Sequence, residues 1–247
     1  MIIRIRDLVK EELKRVVNNI RNVVAIFAFV LFISLFPVYM FVTNLSEIPI
    51  EGMVTLDMIV QAFIRVYFFT YTVSLAVFTV FTISMDVFIS DKKEKALDVL
   101  LALPVSLRTI WLAKSIALFI ISYLASVVAT GIFIISINLF LMRGFTYLPD
   151  ILMWLYVVTV LPIIVFLIIS LTSILQLALK RYTIVNFFLF LVAFIVTGVP
   201  SFLISRLSQL NTSTYFLIYV GIAIILAMLN ALTQRILLNK ERIILSS

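Results

Sequence analysis

Long apolar runs separated by short charged stretches set the pattern of this chain. Six runs carry no Asp, Glu, Lys or Arg: 22–46, 66–85, 115–142, 151–179, 182–205 and 207–234. The shortest of them has 20 residues. A helix rising 1.5 Å per residue crosses a hydrocarbon core of about 30 Å in about 20 residues. Each run is therefore long enough to span a membrane, and the pattern predicts six transmembrane helices. The fourth run, 29 residues, is too short for two helices and a turn, so it is read as one overlong or tilted helix kinked at Pro162.

A different periodicity precedes the first run. In residues 1–21, apolar residues fall at Ile2, Ile5, Val9, Leu13, Val16, Val17 and Ile20, in steps of three and four. Charges occupy the opposite face, with Glu11 four residues before Arg15, the favourable order for an ion pair. This predicts an amphipathic elbow helix lying at the membrane surface, anchored by Ile5, Val9, Leu13, Val16 and Ile20. A cleaved signal peptide fits poorly, because the following apolar run is too long and the basic region too extended.

The most polar island after the N-terminus is 91–114, DKKEKALDVLLALPVSLRTIWLAK. Leu97, Leu100 and Leu101 share one helical face, flanked by Ala96 and Leu103, while Asp91, Lys92, Lys93, Glu94, Lys95 and Asp98 supply charge. Asp91 is suited to cap the N-terminus of a helix, and Pro104 stops it, since the residue before a proline avoids the α region. Ser106 can then cap a helix leading into the third run. The pattern predicts a short helix over 91–104, parallel to the membrane, with leucines as anchor and charges toward solvent.

Charge distribution orients the spans. With the N-terminus inside, 16 of the 19 Lys and Arg residues fall on the cytoplasmic side, and only Arg65, Arg143 and Arg206 fall outside. The positive-inside bias thus puts both termini in the cytoplasm. Outside, 46–65 is expected to contain a helix starting near Thr55 or Asp57 and leading into span two. Residues 143–150 form a short loop, and 197–214 form a longer segment, either a plain loop or a half-buried helix.

Composition narrows the class. The chain of 247 residues is 64% hydrophobic and 13% charged, with a mean hydropathy of +1.25. Soluble domains are about 45–50% apolar and about 25% charged, so lipid is the solvent here. Cys and His are both absent, which excludes disulfides, cysteine nucleophiles, Ser-His-Asp triads and His-ligated metals. None of the five glycines begins a G-x-x-x-x-G-K-[ST] loop, so the chain has no P-loop of its own. The pI of about 9.7 is accounted for by basic loops at a membrane and implies no nucleic-acid partner. Within the runs, the polar residues are Ser122, Ser126 and Thr130, then Ser170, Thr172, Ser173 and Gln176, then Asn230. With the small pairs Ala125/Ala129 and Ala223/Ala227/Ala231, they suit helix packing better than substrate contact. No catalytic, cofactor or metal site is expected in the chain. A charge-free interior argues against ion-coupled carriers, which place ionisable groups at mid-membrane.

The stretch 91–114 resembles the segment after the second span in ABC-2 type permeases, the membrane subunits of ABC transporters. Leu97-Asp98 corresponds to a leucine-acid pair of that pattern, Leu100-Leu101-Ala102-Leu103-Pro104-Val105-Ser106 to its centre, and Lys114 to its downstream lysine. Lys93, Lys95, Ala96 and Ala113 depart from it. The resemblance implies a single permease domain over 1–247, paired with a second permease subunit (an identical or related chain) and with two P-loop ATPase subunits that hold ATP and Mg. The helix 91–104 would be the coupling helix, with Asp91, Lys92, Lys93, Glu94, Lys95, Leu97, Asp98, Leu100, Leu101 and Pro104 meeting the ATPase. It implies residence in the cell membrane and export, with an amphiphilic or lipid-like cargo fitting the charge-free spans. Two other classes stay open: an ATP-independent channel or scaffold, and a lipid-modifying membrane enzyme.

Overall fold

The structure, a computed structural model, describes residues 5–44, 56–93, 107–140, 147–178, 191–192, 194–198 and 211–237, with 56–58, 84–93, 107–108, 177–178, 196 and 236–237 described by backbone only. The described residues are helical apart from short connections. Five helices are long and apolar enough to cross a membrane: Ile20–Asn44, Ile59–Ile83, Thr109–Phe140, Ile151–Gln176 and Thr212–Arg235. They correspond to five of the six expected runs. Most of the remaining run, 182–205, lies outside the described residues, which there include 191–192 and a π-helical turn at Phe194–Gly198.

Helix α1 (Ile5–Asn18) leads through a break at Asn19 into α2 (Ile20–Asn44). The Asn19 carbonyl accepts from the Asn22 amide at 3.0 Å, so the chain turns without losing its hydrogen bonding. Along α2, Val30, Ile33, Ser34, Pro37 and Val38 are buried, a helical stripe facing the bundle. Phe27, Phe32, Phe36 and Tyr39 point the other way and are exposed. In water that face would be costly; in lipid it is matched to its solvent.

Helix α3 (Leu56–Lys93) has 38 residues, about 57 Å at 1.5 Å per residue, nearly twice the hydrocarbon thickness. It starts where a lead-in to span two was expected and continues without interruption to Lys93. Ile64, Phe68, Phe69, Val73, Leu75, Ala76, Val80 and Ile83 are buried, which makes α3 a central helix. Asp91 lies in its last turn, not at the start of a new helix. The helical backbone simply continues past the end of the apolar run, so the capping role expected of Asp91 is not met.

Helix α4 (Leu107–Phe140) is the other central element and packs against α1, α2 and α3. Ala125 and Ala129 let α2 approach closely, and the Ser34 hydroxyl donates across that contact to the Ala129 carbonyl at 3.1 Å. The matching stripe on the last helix differs: Ala227 and Ala231 are exposed, so they face away from this chain's own bundle.

The fourth span is built from α5 (Ile151–Leu155), a π-helical turn at Tyr156–Val160, and α6 (Leu161–Ala178). Pro162 has no N–H, and its ring would clash with the carbonyl four residues back. The wider turn just before it absorbs that clash, so the kink expected at Pro162 takes the form of a π-bulge. Helix α7 (Thr212–Leu237) packs on α6.

Two polar clasps secure the end of the bundle expected to face outward. Asn138 donates to the Tyr147 carbonyl at 3.2 Å and accepts from the Tyr147 amide, bracketing the loop between α4 and α5. The Thr212 hydroxyl donates to Asp150 Oδ2 at 3.1 Å, joining the start of α7 to the start of α5.

Candidate functional site

At the opposite end, polar side chains converge on the first turns of α4. Lys114 lies seven residues into that helix, about 10 Å along its axis from Leu107. It is 2% exposed, and its ammonium donates to Glu12 Oε1 of α1 at 2.6 Å. The sequence placed Lys114 on a helix capped near Ser106 and on the cytoplasmic side of span three, with no partner assigned to it. The helix does begin before it, at Leu107, and α1 covers it. The second carboxylate oxygen, Glu12 Oε2, is also buried and has no hydrogen-bond partner among the described residues.

The α1 face that makes this contact differs from the expected one. Val16 is buried, and Leu8, Val9, Glu12 and Leu13 are half-buried against the bundle. Ile5 and Ile20 are exposed, and Ile20 belongs to α2. Val16 joins the buried core, with Val9 and Leu13 half-buried on the same side of α1. Turning Glu12 inward on that face gives the buried lysine of α4 a carboxylate partner.

Next to Lys114 on α4, Trp111, Ser115, Leu118 and Ser122 follow at steps of four, three and four, forming a face toward α6. Trp111 Nε1 donates to the Ser170 carbonyl at 3.4 Å, and the Ser115 and Ser173 hydroxyls lie 3.3 Å apart. The Ser170 hydroxyl donates to Asn230 Oδ1 at 2.9 Å, and Asn230 Nδ2 donates to the Leu167 carbonyl at 3.3 Å. Gln234 Nε2 also donates to Asn230 Oδ1, at 3.3 Å. Contacts of α1 on α4, α4 on α6 and α6 on α7 thereby follow one another across the end of the bundle.

Other polar residues of the spans are absorbed locally. Ser126, Thr130 and Thr172 each donate to the carbonyl four residues back on their own helix, at 2.9, 2.8 and 2.7 Å. Such back-bonding satisfies a hydroxyl in lipid without a partner helix. In the other half of the bundle the Tyr156 hydroxyl donates to the Phe69 carbonyl at 3.0 Å, and the Tyr219 hydroxyl lies 3.4 Å from Thr70 Oγ1.

Of the expected coupling residues, Asp91, Lys92 and Lys93 extend α3 as backbone. Glu94, Lys95, Leu97, Asp98, Leu100, Leu101 and Pro104 lie outside the described residues. What is described is their setting: the stretch 94–106 joins the end of α3 to the start of α4, and these two helices pack along each other. Glu12, Trp111, Ser115 and Gln234 were not singled out from sequence. Glu12 carried a signal nonetheless, since it interrupts the face bounded by Ile5 and Val16, where a carboxylate demands a cation. Among the described residues, no three acids cluster to hold a metal ion. The arrangement ties α1, α4, α6 and α7 together through one ion pair and a set of hydrogen bonds. No family model, no curated protein and no solved structure matches this chain.

Proposed function

We propose that this chain is the membrane-spanning permease subunit of an ATP-driven transporter of the ABC-2 type. In this reading it has six spans with both termini in the cytoplasm of a cell-membrane protein. It works beside a second permease subunit, and separate P-loop ATPases supply ATP hydrolysis. The segment 91–106 is the contact through which they act.

The observation that best supports the reading is that α3 and α4, the two central helices, both run into that segment. A displacement applied there reaches both at once. Rigid packed elements are what carry such coupling. The Glu12–Lys114 ion pair, two turns into α4, makes α1 move with them. The leucines at 97, 100 and 101, with the charges around them, give the segment an apolar anchor and a polar docking face.

The cargo in this reading is amphiphilic and leaves the cell. An open apolar groove of about 550 Å³ runs along α2, lined by Leu31, Phe32, Leu35, Phe36, Tyr39, Val42 and Phe140. That is within the range of small-molecule sites, about 300–1,000 Å³. Its lining suits an acyl or aromatic moiety and offers nothing to a strongly charged one.

The test is affinity purification of the chain from its native membrane. A P-loop ATPase should accompany it, and hydrolysis by the reconstituted complex should require this chain. A chain that purifies alone and conducts solute without ATP would establish a channel. One that purifies alone and turns over a lipid would establish an enzyme.

A further inference from the structure

Helix α1 has two flanks, and they differ in charge. Arg6, Lys10 and Lys14 recur every four residues and are all exposed, so they form one stripe. Val17, 60% exposed, lies in line with them, and exposed Arg21 follows at the start of α2. Asp7, Glu11 and Arg15 sit on the far flank, and Glu12 is turned inward onto Lys114. Among the described residues, no ion-pair partner is found for Arg6, Lys10 or Lys14.

Repulsion within such a stripe is only partly offset by Asp7 and Glu11, three residues before Lys10 and Lys14. Like charges at i and i+4 destabilise a helix, and here two such pairs stand in succession. A shared anion reverses that sign. The stripe is also continuous with lipid-facing surface, because Ile20, Val23, Val24 and Phe27 just beyond it are exposed apolar residues. Basic side chains placed at the end of a lipid-facing helix lie at the depth of phosphate groups.

We propose that Arg6, Lys10, Lys14 and Arg21 form a binding surface for anionic phospholipid headgroups. The phosphates bridge successive basic side chains of α1, and the acyl chains lie along Val17, Ile20, Val24 and Phe27. Sequestering Glu12 against Lys114 keeps a carboxylate away from this surface. The inference rests on the chain being membrane-embedded and not on its coupling to an ATPase.

The experiment uses the full chain in phosphatidylcholine vesicles with a trace of spin-labelled phosphatidylglycerol or spin-labelled phosphatidylcholine. The motionally restricted fraction reports which lipid the protein holds. The wild-type chain should prefer phosphatidylglycerol on the order of tenfold, the attraction of several basic residues for an anionic surface less its screening by salt. The preference should fall severalfold in 0.5 M salt (about threefold above physiological ionic strength). In Arg6→Gln/Lys10→Gln/Lys14→Gln it should approach unity, while Glu11→Gln/Arg15→Gln should retain it. The salt arm needs no variant, so a triple variant that fails to insert leaves the proposal open to refutation. Equal retention of both lipids by the wild-type chain, or an undiminished preference in the inserted triple variant, would overturn it. Capture of soluble polyglutamate by the stripe without lipid preference would overturn it in favour of an acidic protein partner.

Discussion

Glu12 and Lys114, 102 residues apart in the chain, meet at 2.6 Å and tie the N-terminal helix to a central one. Lys114 is almost fully buried, and Glu12 is the carboxylate set against its ammonium. Breaking a buried pair from one side costs about 3–5 kcal/mol, whereas replacing both partners by packed apolar residues is often close to neutral. Glu12→Gln and Lys114→Met should each lower unfolding stability in mixed micelles by that order. Glu12→Leu/Lys114→Met should recover most of the loss. Additive losses in the double-mutant cycle would show that the two residues do not interact.

Asn230 offers a smaller, graded case. Its side chain links Ser170, the Leu167 carbonyl and Gln234. Interhelical hydrogen bonds in membranes average only about 0.6 kcal/mol, because the alternative state also finds partners. Asn230→Leu should therefore cost about 1–2 kcal/mol, clearly less than Lys114→Met. Ser170→Ala in the same background should add little. The same micelle unfolding measurement ranks them.

Tyr147 gives a pH signature at the other end of the bundle. Burial pushes its phenol up from about 10 to about 12, the nearby Asp150 carboxylate adds to this, and Arg65 opposes it. A raised folded pKa means that the neutral form is favoured by folding. Its contribution is fully present below about pH 10 and is lost as pH rises from about 10 to about 12. Unfolding midpoints measured between pH 9 and 12 should fall in the wild-type chain. In Tyr147→Phe the fall attributable to this group should be missing.

The absence of native cysteine makes orientation directly measurable. Lys93→Cys should react with an impermeant maleimide only after the cells are opened. Thr146→Cys, on the opposite loop, should react in intact cells. The reverse pattern would invert the topology.

Much of the helical arrangement was legible because one physical signal dominates it. A stretch such as 22–46 has no charged residue for 25 positions, and no soluble helix offers a comparable pattern. Helix ends were less legible. The run 66–85 is only the middle of α3, since charged residues at 86 and 91–93 can continue a helix once it has left the apolar layer. The contact between Glu12 and Lys114 was hidden for a related reason. Lys114 borders an apolar run and reads as a cation on the cytoplasmic end of a helix, and only tertiary packing shows that α1 covers it. Single-helix periodicity likewise assigned Ile20 to the amphipathic face, because it does not register the break at Asn19.

The segment 91–106 stands at the junction of the two central helices, and whether an ATPase grips it decides what the chain does. The direct measurement is photo-crosslinking in native membranes from p-benzoylphenylalanine placed at Leu100, with Thr146 as the control position. A crosslink from Leu100 to a P-loop ATPase, changing in yield when ATP is added and missing from the control, is the expected result. Efficient incorporation at Leu100 with crosslinks to lipid alone, or to proteins that bind no nucleotide, would contradict it.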